Sequence, residues 1–123
     1  MTRSRVSTIK HAQKESELLH QISQLFVQIM QDEPLLQHVS ITRVKLSPDK
    51  GSCKIFFHAI GGKQEYETAR KRLVLYKPSL RKALASVIHG RYIPKLQFLY
   101  DEQLDKQREI DDLIDSLKRE GKL

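Results

Sequence analysis

The side chains that could do chemistry in this sequence are mostly cations, and they are concentrated in its middle third. Residues 63–95 carry nine Lys and Arg but two Asp and Glu, a net charge of +7 that equals the formal net charge of the whole chain. The segments 1–62 and 96–123 carry net charges of +3 and −3. Such a local excess can bind the phosphates of a polyanion, and a solvated basic helix face is the alternative. The nine cations are Lys63, Arg70, Lys71, Arg72, Lys77, Arg81, Lys82, Arg91 and Lys95.

Residues that could catalyse a reaction or hold a metal do not form a recognisable constellation. Cys53 is the single cysteine and is expected to be a buried small hydrophobe on a strand. Asp49 and Asp101 could be imagined as the metal-binding pair of a nuclease, but turn chemistry accounts for Asp49. No Ser-His-Asp grouping, glycine-rich phosphate loop or metal-ligand spacing is present. The sequence therefore predicts a protein that is not an enzyme and uses neither a metal nor a cofactor. Its scattered histidines are His11, His20, His38, His58 and His89.

The composition is that of one globular domain. The chain has 123 residues, of which 39% are hydrophobic and 30% charged, enough for one core and too few for two ordinary domains. No run reaches the roughly 18 apolar residues of a membrane-spanning helix, and the N-terminus lacks the apolar segment of a secretory signal. The default expectation is a soluble intracellular protein without membrane association.

The first half of the sequence predicts a helix followed by a β-hairpin. Apolar residues repeat with three-and-four spacing over residues 17–30, which is typical of an amphipathic helix. Residues 39–46 and 52–60 alternate as strands around a Pro-Asp-Lys-Gly turn, and a change of parity near Thr42 predicts a β-bulge. Because the sequence before the helix is poor in apolar residues, residues 1–16 are expected to form a flexible basic arm.

The second half predicts two consecutive helices, a strand and a last helix. A helix is predicted over residues 64–76, and Pro78 must end or kink it because proline cannot donate a backbone hydrogen bond. A third helix follows at once and stops near Gly90. Residues 92–100 alternate as a third strand, and an amphipathic helix and tail are expected over residues 103–123.

The order of these elements predicts an α+β fold, α-β-β-α-kink-α-β, with a three-stranded sheet covered by helices on one face and an appended C-terminal helix. This is the order of the type II KH domain, which holds nucleic acid at the junction between its two consecutive helices, normally through a GXXG loop. The KH-like domain is assigned to residues 17–102. Its helix kink falls at Tyr76, Lys77 and Pro78, and no GXXG is present.

Five segments, in order, resemble the ribosome-binding factor A family, and together they extend over roughly residues 18 to 117. The segments read Ser-Pro-Asp at 47–49, Lys-Ile-Phe-Phe at 54–57, Leu-Arg-Lys-Ala-Leu at 80–84, Arg-Tyr-Ile-Pro-Lys-Leu-Gln-Phe-Leu-Tyr-Asp-Glu at 91–102, and Ile-Asp-Asp-Leu-Ile at 110–114. The resemblance implies a non-enzymatic late assembly factor of the small (30S) ribosomal subunit. Such a factor binds immature 16S rRNA, supports processing of its 5′ end and takes part in cold adaptation. A ribosome-associated GTPase is implied as the partner for release, and the free protein is expected to be a monomer.

The surface expected to bind RNA is the outer side of the two middle helices together with the start of the third strand. Cations there would meet phosphates, and Ser79 would donate a hydrogen bond or cap the third helix. In place of the Ala-x-Gly kink of the family, this chain has Tyr76, Lys77 and Pro78, where proline still breaks the helix. A general single-stranded RNA-binding KH module and, with less support, a small basic ribonuclease remain as alternatives. The predicted RNA-binding residues are Arg70, Lys71, Lys77, Ser79, Arg81, Lys82 and Arg91.

Overall fold

The computed structural model describes residues 5–87 and 93–122, and its elements follow the predicted order. The KH-like α+β class is thereby confirmed. Within the described ranges, no helix is both long and apolar enough to cross a membrane. The elements are α1 (Arg5–Met30), a first 3₁₀ turn (Pro34–Leu36), β1 (Val39–Leu46), β2 (Ser52–Ala59), α2 (Lys63–Leu73), a second 3₁₀ turn (Val74–Tyr76), α3 (Lys77–Val87), β3 (Lys95–Tyr100) and α4 (Glu102–Arg119).

Helix α1 begins at Arg5, well before the predicted start, so the expectation of a flexible arm is wrong for residues 5–16. Two contacts explain the longer helix. The ring Nε2 of His11 donates to the carbonyl oxygen of Leu46 at 2.9 Å, which ties this part of α1 to β1. The same ring lies 3.4 Å from the carboxylate of Glu15 one turn later. The segment also contains no Gly or Pro, so nothing in it interrupts a helix.

The sheet has the order β1-β2-β3, with β1 and β2 antiparallel and β2 and β3 parallel. Its register shifts between Ile41 and Arg43, which confirms the β-bulge predicted near Thr42. The bulge lets Val39 and Val44, of opposite parity, both face the helices. The hairpin turn and the alternation of β2 are also as predicted.

The core lies between one face of the sheet and helices α1, α2 and α3. Phe57, at its centre, packs edge-on against the rings of Phe26 and Phe98 at centroid distances of 5.5 Å and 5.3 Å, and stacks on Tyr66 at 6.0 Å. Burial of this aromatic cluster, together with apolar side chains of all three helices, is the main favourable contribution to folding. On the other face of the sheet, Lys45, Lys54 and Gln97 are exposed.

The junction between α2 and α3 is a single 3₁₀ turn, and it confirms the predicted break. Helix α3 begins at Lys77, so Pro78 stands in its first turn, where a backbone donor has no intrahelical acceptor to lose. Strand β3 begins at Lys95, later than predicted, directly after Pro94. The predicted helix stop at Gly90 and the predicted strand position of Tyr92 lie outside the described residues.

Candidate nucleic-acid interface

The exposed cations of α2 and α3 lie on both sides of the helix junction. Arg70 and Lys71 belong to the last turn of α2, and Lys82 belongs to α3. All three side chains are exposed. In the described part of the chain no carboxylate lies within ion-pair distance of any of them. They are therefore able to exchange their counterions for phosphates.

Of the other predicted site residues, Arg81 and Lys77 make contacts within the protein. Arg81 is exposed and donates through Nη2 to the carbonyl oxygen of Ile93 at 3.4 Å. The ammonium of Lys77 lies 5.3 Å from the ring centroid of Phe98, at the distance of a cation–π contact. Ser79 is exposed but is the third residue of α3, so the prediction that it caps this helix is wrong. Arg91 lies outside the described residues.

Two of the nine clustered cations are neutralised by carboxylates from distant parts of the chain. The ammonium of Lys63 donates to Glu102 at 3.0 Å, and this bond raises the pKa of Lys63. Nε of Arg72 donates to Glu33 at 2.9 Å. The net charge of residues 63–95 therefore overstates what this surface offers to an anion.

Glu33 braces the helix junction from the end of α1. Its carboxylate is buried and accepts hydrogen bonds from the Tyr76 hydroxyl and from Nε of Arg72. The Tyr76 bond is the main cause of a lowered pKa at Glu33, with Arg72 adding to it, and the same contact raises the pKa of Tyr76. The bulky tyrosine of the kink is thus held by an anion rather than left free.

A groove of about 320 Å³ opens beside this brace, between α1 and α3. Most of its lining surface is apolar, and its polar groups come from Gln28, Asp32, Tyr76 and Ser79. The carboxylate of Asp32 disfavours a phosphate inside the groove, so we expect phosphates on the outer, cationic side of the helices. The lining residues are Leu25, Gln28, Ile29, Asp32, Tyr76, Ser79, Leu80 and Ala83.

The sequence predicts Tyr66 only as a core residue, and the structure shows that its hydroxyl is buried as well. Its side chain is 1% exposed, and its buried hydroxyl has no hydrogen-bond partner among the described residues. Burial raises the pKa of this hydroxyl to about 12. Nearby Arg70 acts in the opposite direction, through its positive charge and through a side-chain contact that falls short of hydrogen-bond geometry. Tyr66 and Arg70 line a cleft of about 410 Å³ between α2 and β3. No pattern in the sequence reveals an unpaired hydroxyl.

The residues weighed for other chemistry have structural roles. Asp49 accepts hydrogen bonds from the Ser47 hydroxyl at 2.6 Å and from the Gly51 amide at 2.9 Å, as expected of a turn aspartate. Asp101 caps α4 and is buried. Cys53 is buried as predicted, and burial raises the pKa of its thiol to about 12. Among the described residues, no three His, Cys, Asp or Glu side chains come together as metal ligands.

Sequence comparisons place the chain beside one group of proteins. The family model described as ribosome-binding factor A matches residues 10–114. A ribosome-binding factor A of Coxiella burnetii is 34% identical over 110 residues, which is 88% of this chain and 91% of that protein. One of Thermomicrobium roseum is 33% identical over 88 residues, which is 72% of this chain and 68% of that protein.

Solved structures share the fold. The crystal structure of ribosome-binding factor A from Thermus thermophilus has a TM-score of 0.64 and 24% identity, covering 73% of this chain and 94% of that one. A Thermotoga maritima protein solved by NMR has a TM-score of 0.66 and 21% identity, covering 80% and 89%. A homology model of the Thermus thermophilus factor, fitted into a cryo-EM map of its 30S complex, has a TM-score of 0.57 and 24% identity, covering 72% and 92%.

Proposed function

The chain belongs to the ribosome-binding factor A family, and we propose that it binds the small ribosomal subunit as a non-enzymatic assembly factor. In this proposal it binds immature 16S rRNA and supports processing of its 5′ end. The related factor of Thermus thermophilus has been fitted into a map of its complex with the 30S subunit, which supports the same partner here. Cytoplasm or an organelle is the proposed location, with a ribosome-associated GTPase for release and a monomer as the free state.

The observation that carries the proposal is the set of unpaired cations around the helix junction. Arg70 and Lys71 precede the 3₁₀ turn, and Lys82 follows it on α3. Phosphate contacts from these side chains position the protein on RNA without reading its sequence. Selectivity for one ribosomal site must then come from the shape of the RNA and from neighbouring ribosomal proteins. Lys77, Ser79, Arg81 and Arg91 are proposed to complete this surface.

Salt dependence is the physical signature of such a surface. With about six phosphate contacts, the affinity falls roughly a thousandfold between 50 and 200 mM salt on the duplex-DNA scale, and somewhat less for single strands. A flat salt dependence would contradict phosphate binding.

Co-sedimentation with isolated small subunits, large subunits and naked rRNA tests the function. Wild-type protein is expected to bind small subunits preferentially. A Lys71→Glu/Lys82→Glu variant is expected to lose that binding, and these two positions are chosen because Arg81 also contacts the backbone next to β3. Lys106→Glu/Lys118→Glu is the matched control, since it makes the same change of charge at exposed positions on a different helix, α4.

Each result of this experiment has a separate meaning. Loss in the junction variant alone supports both the partner and the surface. Equal losses of binding in both variants would show that net charge, and not the junction surface, determines binding. Equal binding of wild-type protein to all three targets would favour the general RNA-binding alternative over an assembly factor.

A further inference from the structure

The face of the sheet turned away from the helices carries a second group of unpaired cations. Lys45 of β1 stands directly opposite Lys54 of β2, and both are exposed. Lys95 of β3 stands opposite Ser52, two residues from Lys54 on the neighbouring strand, and is exposed as well. The register places the three lysines on the same face of the sheet, with Lys45 and Lys54 on strands about 4.8 Å apart and Lys95 diagonal to Lys54. We call Lys45, Lys54 and Lys95 the sheet cluster.

The sheet cluster destabilises the free protein. Like charges directly opposite each other on adjacent strands are destabilising. No carboxylate of the described residues lies within ion-pair distance of the three lysines. The three strands contain no Asp or Glu at all. The nearest acidic residue along the chain, Asp49, is occupied by hydrogen bonds within the hairpin turn.

The rest of the face suits a nucleic acid better than an apolar partner. Arg43 packs its guanidinium 4.0 Å from the ring centroid of Phe56, and Nε of Arg43 donates to Asp101 at 3.2 Å. These contacts fix Arg43 beside the cluster while its side chain stays 41% exposed. Gln97, opposite Lys54 on β3, adds an exposed hydrogen-bonding amide.

We propose that the sheet cluster is a second RNA-binding surface, which contacts the phosphate backbone of an RNA segment other than the one at the helix junction. The sheet itself separates the two surfaces, because α2 and α3 pack on its opposite face. When RNA occupies both surfaces, the protein bridges two RNA segments. The inference rests on the proposed function for its choice of RNA as the polyanion.

Neutralising the cluster tests the proposal. The variant is Lys45→Gln/Lys54→Gln/Lys95→Gln, and the matched control is Lys106→Gln/Lys118→Gln/Lys122→Gln, which removes three positive charges near the C-terminus. Affinities for small subunits and for deproteinised 16S rRNA are measured from 50 to 200 mM KCl. The sheet variant is expected to bind both targets at least about tenfold more weakly. Its slope of log affinity against log salt is expected to be about two to three units shallower, and the control to match the wild type.

Independence of the two surfaces gives a second readout. Adding Lys71→Gln/Lys82→Gln to the sheet variant is expected to multiply the two losses, because sites on opposite faces do not share partners. Thermal unfolding checks the fold. The sheet variant is expected to be at least as stable as the wild type, since the repulsion between Lys45 and Lys54 is gone.

The outcomes separate this proposal from the function itself. A sheet variant with the affinity and salt slope of the control would overturn the second surface and leave the proposed function intact. Weaker binding to small subunits but unchanged binding to deproteinised rRNA would also overturn it, since the occupant would then be an acidic ribosomal protein. Failure of the wild type to prefer small subunits would contradict the proposed function, while the rRNA measurement would still decide the sheet cluster.

Discussion

Replacing Tyr66 by Phe is expected to stabilise the protein, which is unusual for a change in a core. The Tyr66 hydroxyl is buried without a partner among the described residues, and burial raises its pKa to about 12, so it stays neutral at any ordinary pH. An unsatisfied buried polar group costs about 1–3 kcal/mol. Removing the oxygen also loses some packing contacts, which offsets part of the gain. The expected net gain is about 1 kcal/mol, or about 4 °C in Tm for a domain of this size.

Tyr100→Phe is the matched control for this prediction. The chemical change is the same, but the Tyr100 hydroxyl donates to Asp105 at 2.5 Å, so its removal is expected to destabilise the protein by about 1 kcal/mol. Urea unfolding of both variants, followed by circular dichroism, measures the two changes in unfolding free energy. If Tyr66→Phe destabilises as much as Tyr100→Phe, the Tyr66 hydroxyl has a partner in solution and the reasoning fails. A stabilised Tyr66→Phe that binds rRNA more weakly would show that RNA uses this hydroxyl.

Three further changes have defined outcomes in the same unfolding assay. Asp101→Ala removes the cap of α4 and the hydrogen bonds from Thr42 and Arg43, and is expected to lower the unfolding free energy by about 2–3 kcal/mol. An unchanged unfolding free energy would show that this carboxylate does not fix α4. Gly62→Ala is expected to cost about 1–2 kcal/mol although nothing crowds its Cβ, because φ is 86° there; a neutral change would show that the loop relaxes. The pKa of Glu33 is lower in the folded than in the unfolded protein, so the ionised carboxylate stabilises the fold. This stabilisation is fully present above the unfolded pKa of about 4.3 and is lost as the pH falls through the folded pKa. In a Glu33→Gln variant, the unfolding free energy is therefore expected to fall less steeply as the pH is lowered. An unchanged pH dependence would contradict the stabilising role of the Glu33 carboxylate.

Local patterns in the sequence predict most of the fold because they report burial directly. Alternation in β2 places Cys53, Ile55 and Phe57 in the core, and all three are buried. The parity change in β1 predicts the bulge, since both halves of the strand must face the same helices. Pro78 predicts the helix break because its missing donor is a property of one residue.

Contacts between distant residues explain what the sequence does not predict. The ion pairs of Lys63 with Glu102 and of Arg72 with Glu33 each join residues 39 positions apart, so counting charge within a segment cannot find them. The tie from His11 to Leu46 likewise extends α1 through a partner on another element. The same limit hides the sheet cluster, whose members belong to three different strands and to two different charge segments of the chain.

The helix junction shows how a bulky residue can replace a small one at a kink. Without a glycine, the backbone turns through a 3₁₀ segment, and Pro78 stands where its missing donor has no consequence. Tyr76 then needs a place for its ring and hydroxyl, and the buried carboxylate of Glu33 supplies it. Arg72 donates to the same carboxylate, so it helps to fix the junction and is neutralised as a cation for RNA. Phosphate binding at this end of α2 therefore depends on Arg70 and Lys71, and the Lys71→Glu/Lys82→Glu variant tests that dependence.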